Sequence, residues 1–236
     1  MPWQRTDWLQ NMWFQARLRW QLLRCQHPRL QRYYRALQPQ LNLPFAQAKI
    51  MAFDLEMTGL SPHTDQILSI GMVPIEQGQI QLSKAQSRLV SIDGSVGHSA
   101  TIHGIVDRQL DCALTRDAAM AWFLDVTEGY VLLAHHAPLD MRFIQMNLAA
   151  SVSAHLDVPI LDTLAIERRR LLRQQDVIKE GSLRLGASRE RYGLPVYGAH
   201  DALSDALASA ELLLAQQSAI AHGEHVSVVE LLSLSR

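Results

Sequence analysis

From Trp8 to about Leu37 the chain carries no glycine and one proline, Pro28, so its pattern predicts helix with a single break near His27-Pro28. Trp13, Ala16, Trp20 and Leu23 recur at i, i+3, i+7 and i+10, one stripe of a helix whose other face carries Arg17, Arg19 and Arg24. That stripe is expected to pack on the body of the protein or on a second copy, as a homodimer contact through the N-terminal helices. A membrane-surface helix and an aromatic, basic nucleic-acid contact share the same pattern. Beyond the turn-rich stretch Pro39–Pro44, Lys49–Glu56 alternates as a strand does. Gln66–Ile75 and Gln79–Val90 are two more extended runs around a hairpin signal at Gln77-Gly78. Thr115 then caps a helix to Thr127, Tyr130–Ala134 reads as a buried strand, and Pro138 starts a helix to about Ala150. A short strand follows at Val158–Leu161, with helices over roughly Thr163–Arg173, Ser182–Tyr192 and Asp201–Ala221. The order predicts an α/β fold, a mixed five-stranded sheet flanked by helices. The expected organisation is a helical extension and linker over residues 1–46, a body over 47–221, and a tail over 222–236 that forms a short helix.

Composition is ordinary for a folded domain, 48% hydrophobic and 19% charged in 236 residues. No run approaches the ~20 apolar residues of a membrane span. The N-terminus has Asp7 and tryptophans where a signal peptide has a basic start and an apolar run. Cys25 and Cys112 are isolated, which excludes a disulfide framework or thiolate zinc site and suits a reducing cytoplasm. The net charge of −1 conceals an asymmetry. Residues 1–49 hold eight basic side chains against Asp7, and the remainder holds 14 basic and 22 acidic ones. Four of the five tryptophans, Trp3, Trp8, Trp13 and Trp20, lie in the basic part. The chain therefore reads as a basic arm on an acidic body.

Three places carry candidate chemistry. In Ile50-Met51-Ala52-Phe53-Asp54-Leu55-Glu56, residues two apart share a strand face, so Asp54 and Glu56 point together while Met51, Phe53 and Leu55 point into packing. Met57-Thr58-Gly59-Leu60 ends the strand, which puts both acids at its C-terminal edge, where ligand sites gather in α/β sheets. Two acids so aimed are costly unless a cation neutralises them; alone, such a pair also fits a solvated strand end. In His135-His136-Ala137-Pro138-Leu139-Asp140, Asp140 falls in the first turn of a helix, where the dipole favours an acid. In His200-Asp201-Ala202-Leu203-Ser204-Asp205, Leu203, Leu207, Ala210 and Leu214 form the apolar stripe of the last long helix and leave Asp205 off it. His200 is expected just ahead of that helix, where a loop aims it.

In this order the three motifs resemble the DEDDh family of 3′→5′ exonucleases, with the proofreading epsilon subunit of bacterial DNA polymerase III and its stand-alone relatives as the nearest likeness. The resemblance covers about residues 48–217 and implies a ribonuclease-H-like fold. Thr58-Gly59-Leu60, Ile102-His103-Gly104-Ile105 and Leu161-Asp162-Thr163-Leu164 agree with it. His136 stands where the family usually has Asn, and Leu139 where it has an aromatic residue. The first motif is also similar to that of oligoribonuclease. The resemblance implies two divalent cations, Mg²⁺ or Mn²⁺, held by Asp54, Glu56, Asp140 and Asp205, with His200 as general base. It places the terminal nucleotide against Met57, Thr58, Gly59 and Leu60, with His103 and His135 beside it. The implied activity is metal-dependent 3′→5′ hydrolysis of single-stranded or frayed DNA ends. An exoribonuclease acting on short or structured RNA and a non-catalytic nucleic-acid-binding module are the alternatives.

Two further segments bear on partners. Glu167–Arg191 holds eight basic residues against four acids, a strand track or a solvated helix face. Gln40-Leu41-Asn42-Leu43-Pro44-Phe45 resembles the short peptides that dock on the replication sliding clamp. Its alternative is a linker whose Leu43 and Phe45 cover the sheet edge.

Overall fold

In the computed structural model, which describes residues 4–174, 176–198, 200–221 and 226–235, the chain opens with α1 (Gln4–Arg24) and α2 (Pro28–Leu37). The break falls at His27-Pro28, where proline takes the first helical position. Strands β1 (Ile50–Met57), β2 (Ile67–Glu76), β3 (Gln79–Ile80) and β4 (Gln86–Leu89) follow. Then come α3 (Ala100–His103), α4 (Arg116–Thr127), β5 (Val131–Ala134), α5 (Ala137–Val152) and β6 (Ile160–Asp162). Helices α6 (Thr163–Leu172), α7 (Leu185–Glu190), α8 (Ala202–Ala221) and α9 (Val228–Leu234) complete the described chain. Trp3 and residues 222–225 lie outside the described residues, as does the side chain of Trp8.

The sheet is mixed, in the order β3-β2-β1-β5-β6, with β4 also on β2. β1 pairs antiparallel with β2 and parallel with β5, which pairs parallel with β6. It has six strands where the pattern predicts five, because the run Gln79–Val90 is interrupted. Gln77 and Gly78 take φ of 54° and 70° and close the expected hairpin. A turn at Leu82–Lys84 then lifts the chain off β2, pinned by the Lys84 ammonium on Glu76 at 2.6 Å, before it returns as β4. β6 begins two residues later than expected, since Pro159 has no donor for the ladder. α7 is shorter than the expected Ser182–Tyr192, because the Ser182 and Leu183 carbonyls accept from Arg191 and His135 instead of from the helix.

β1, β2 and β5 are almost wholly buried, and Phe53 on β1 meets Phe123 on α4 edge to face at 5.5 Å. The two N-terminal helices share this core. Leu30, Tyr33, Tyr34 and Leu37 are fully buried with Ile50, Ala52 and Val131. Tyr34 donates to the His155 carbonyl at 3.2 Å and accepts the Asp157 N–H at 3.0 Å.

The clamp expectation is overturned here, and of the two placements expected for the α1 stripe, packing on the body is not the one found. The face of α1 that packs inward carries Phe14 and Leu18, while Trp13, Ala16, Trp20 and Leu23 look outward. The helix is apolar on both sides, so one stripe of spacing does not identify the packed one. The clamp-like peptide Gln40–Phe45 is internal. Leu41 and Phe45 are buried in the core, Phe45 N–H donates to the Val226 carbonyl at 2.9 Å, and the Val228 N–H donates to the Leu43 carbonyl at 3.2 Å. With its apolar anchors enclosed, this segment has nothing to offer a clamp.

Sharing of the core predicts a stability effect. Leu37→Ala should cost about 2–5 kcal/mol, the range for a buried leucine, and match Leu132→Ala in β5. Denaturant unfolding measures both; a cost under ~1 kcal/mol at Leu37 would make the N-terminal helices an appendage.

Candidate active site

Asp54 and Glu56 leave the exit end of β1 on one face, and Met51, Phe53 and Leu55 fill the core behind them. Opposite Asp54 across the β1–β2 ladder lies Gly71. A Cβ there would sit 2.2 Å from the backbone of Ala202, so only glycine lets the first turn of α8 rest on β2. That contact, continued by the buried Ala206 and Ala210, brings Asp205 to the strand acids. Single oxygen atoms of Asp54, Glu56 and Asp205 all lie within 4.8 Å of one another.

Asp140 is buried in the first turn of α5. His136, just before that helix, takes φ of 76°, a left-handed turn held by its N–H donating to the Asp162 carboxylate at 3.0 Å. The same Asp162 oxygen accepts the N–H groups of Leu164 and Ala165 and caps α6. One carboxylate thus fixes the turn that aims Asp140, a role the sequence shows only as a helix start.

The electrostatics of the cluster are those of crowded acids. Burial first, then Asp140, Asp205 and Glu56, push the Asp54 carboxyl well above the usual range. Burial and then Asp162 raise Asp140, and burial raises Asp205. Glu56 is pushed up to about 7 by burial and by Asp205 and Asp201. No ion pair among the described residues reaches these four acids. A cluster of hard oxygen donors with unbalanced negative charge fits a divalent cation such as Mg²⁺ or Mn²⁺. The Asp54, Glu56 and Asp205 oxygens can hold it, with Asp140 beside them.

His200 lies just ahead of α8, exposed, with φ of 70°, and its N–H donates to Asp205 at 2.9 Å. His103, at the end of α3, is close enough to His200 for their charges to interact; burial first and then His200 lower its pKa. Its Nδ1 accepts the Ile105 N–H at 3.1 Å, and its buried Nε2 has no partner. After Met57 the chain forms a bracket in which Asp65 accepts from Ser61 N–H at 2.8 Å and from the Thr58 hydroxyl at 3.4 Å. A Cβ on Gly59 would meet the Asp65 carboxylate at 2.5 Å, and Leu60 projects into solvent.

His135 lines the groove that opens beside His136 and His200. It is half-buried, its Nδ1 pairs with the Thr163 hydroxyl at 2.8 Å, and its Nε2 pairs with the Leu183 carbonyl at 2.9 Å. Both ring nitrogens are used, so it tethers the segment before α7 to β5. Burial lowers its pKa to about 4. Asp65, Gly71, Asp162 and Asp201 all shape the site, and no reading of the sequence assigned them a role there.

A groove of about 1440 Å³ leads away from His200, Asp205 and His136 between α6 and the segments flanking α7. The basic stretch divides around it. Arg191 and Arg170 pair with the fully buried Glu167, and Arg189 pairs with Glu211 at 2.7 Å. Arg168, Lys179 and Arg184 line the groove, exposed, with no ion pair among the described residues.

Residues 51–213 match the family model described as Exonuclease. The chain is 29% identical over 170 residues to the DNA polymerase III PolC-type of Thermotoga petrophila, covering 72% of this chain and 12% of that one. It is 29% identical over 178 residues to a DNA polymerase III subunit epsilon-like protein of Rhodobacter capsulatus, 72% of this chain and 24% of the relative. It thus spans a quarter or less of these relatives. Among solved structures, E. coli Exonuclease I in complex with a dT13 oligonucleotide matches 71% of this chain and 40% of its own, with a TM-score of 0.58 and 16% identity. Exonuclease X in complex with 5′ overhanging duplex DNA matches 79% and 99%, with a TM-score of 0.57 and 20% identity. These likenesses bear out the ribonuclease-H-like architecture.

The raised carboxyl groups set a pH dependence. Between about pH 4.5 and 7 the folded chain holds Glu56 protonated while the unfolded chain has lost that proton, so stability falls as pH rises. His135 works the other way. Its folded pKa lies below the usual ~6.5, so stability falls as pH drops from there toward 4. Glu56→Gln separates the two in chelated buffer. The variant should melt above the parent by a gap that widens from about pH 4.5 to 7 and shrinks when Mg²⁺ is added. A gap that does not change with pH would mean that Glu56 carries no charge strain.

Proposed function

This chain belongs to the exonuclease family, and from that premise we propose that it hydrolyses phosphodiester bonds from the 3′ end of single-stranded or frayed DNA. The observation that carries the reading is the convergence of Asp54, Glu56, Asp140 and Asp205 from three separate segments, with His200 at their edge.

Asp54, Glu56 and Asp205 would hold one divalent cation, and Asp140 would help to hold a second. When bound, the ions neutralise the acids and supply Lewis-acid stabilisation of the phosphate and of the departing 3′ oxygen. His200 takes the proton from the attacking water. It is exposed on the groove side and its backbone is anchored on Asp205. Its left-handed backbone keeps the ring out of α8, where a regular helical position would turn it away from Asp205. The Leu60 side chain and the N–H groups of Gly59 and Leu60, which lie between the paired N–H groups of Thr58 and Ser61, receive the terminal nucleotide. His103 Nε2, with Nδ1 already accepting, is a donor for a substrate oxygen. The groove carries the preceding strand, with Arg168, Lys179 and Arg184 on its phosphates.

A product ladder from 5′-labelled DNA and RNA of one sequence, with Mg²⁺, Mn²⁺ or chelator, tests the reading. Stepwise shortening of DNA that chelator abolishes supports it. Faster trimming of RNA would move the assignment to exoribonuclease, and no cleavage with intact metal binding would leave a binding module.

His200→Ala should lower turnover by ~10²–10⁴-fold, leave metal titration unchanged, and recover in part as pH rises. Full rate at neutral pH would remove the imidazole from the reaction.

Replacing Arg168, Lys179 and Arg184 together by Gln should weaken binding to long single strands and lower the salt slope by about two units, roughly 0.7 per lost phosphate contact. Cleavage of a dinucleotide should be unaffected. An unchanged slope would move the strand out of this groove.

A further inference from the structure

The outward side of α1 has no part in the site. At about 100° per residue, Leu9, Met12, Ala16, Trp20 and Leu23 fall within an arc of ~80°. All five are exposed, Trp20 at 57% and Leu23 at 83%, on the side opposite the packed Phe14 and Leu18. Arg19 borders this arc on one side. Arg17 and Arg24 border it on the other, the first over the Trp13 ring at 5.0 Å and the second over the Trp20 ring at 5.2 Å. Between Leu9 and Arg24 there is no acidic residue.

We propose that this face of α1 docks the protein on an anionic lipid surface. An apolar strip with arginines along both borders suits a helix lying in a membrane interface. Its leucine, methionine and tryptophan side chains enter the acyl boundary while the arginine stems reach out to headgroup phosphates. Charge selects among the possible occupants. Arg17 is already paired with Asp157, which leaves Arg19 and Arg24, one on each border, with no ion pair among the described residues. A second copy seated on the same face would set these arginines against each other, whereas an anionic surface complements both borders. The nucleic-acid groove is lined by no residue of α1. The docking is peripheral, since no described helix is long and apolar enough to cross a membrane.

The test uses the full chain with vesicles of phosphatidylcholine alone or mixed with phosphatidylglycerol. Cosedimentation with the mixed vesicles, a blue shift of tryptophan emission on binding, and release by salt are the expected results. Leu23→Glu and Trp20→Glu should abolish binding. Arg19→Gln should weaken it about fivefold. Leu82→Glu, at an exposed apolar position elsewhere, should leave it intact, and oligonucleotide cleavage should be unaltered in all four variants. Failure to bind either vesicle, or equal binding to both, would overturn the proposal. So would a dimer that Leu23→Glu converts to monomer, which would give the face to a second copy, or a loss of long-strand binding in Trp20→Glu, which would give it to nucleic acid.

Discussion

Four carboxylates held where they repel one another are the constraint on which the rest of this structure depends. Burial and mutual charge raise all four above their usual range, and the described ion pairs leave them uncompensated. Such an arrangement persists only if the scaffold supplies more stability than the crowding removes. Here the supply is a sheet buried on both faces, with β1 and β5 at its centre and helices from both ends of the chain closing over it.

Precision in the cluster comes from backbone more than from side-chain packing. Gly71 lets α8 come down onto β2, and with any larger residue Asp205 would be displaced by the width of a methyl group. His136 and His200 both take left-handed conformations that favour glycine, and each is held there by its N–H donating to a carboxylate of the site region. Strain at two residues immediately before two helices thereby fixes where Asp140 and Asp205 begin. The arginines of the α6–α7 region serve the same end. Glu167, fully buried, gathers Arg191, Tyr192 and Gln216, which locks α6, α7 and α8 together behind the groove.

The places of the acids and of His200 on their elements were legible in short spacing, with period two on β1, a first helical turn at Asp140 and a pre-helical loop at His200, whereas their joint role rested on the family resemblance. The α/β order was legible for the same local reason, down to the hairpin at Gln77-Gly78. What escaped depended on partners distant in sequence. α1 is apolar on two sides, and only contact with α2 and α9 decides that Phe14 and Leu18 face inward. Leu41 and Phe45 look like a free docking peptide until Val226 and Val228 are seen to pair with its backbone. That both ring nitrogens of His135 are occupied shows only once Leu183, 48 residues away, is seen to take the second. That Arg168, Lys179 and Arg184 face the groove while Arg170, Arg189 and Arg191 are tied to acids follows from Glu167 and Glu211, whose roles no local pattern announces.

Those ion pairs also separate chemistry from affinity. The acids that would hold the metal ions repel a polyanionic strand, and an acidic body adds to that repulsion over the range of a Debye length, about 8 Å at physiological salt. Arg168, Lys179 and Arg184 are few phosphate contacts against it, and binding strength to nucleic acid scales with their number. A strand entering the proposed site is therefore held mainly by what happens at its end, where neutralised carboxylates, the bracket after Met57 and the groove mouth meet. An end is recognised in such a site because the continuous strand gains too little from the groove alone. The basic, apolar face of α1 lines no part of that groove, so its arginines add no phosphate contact there.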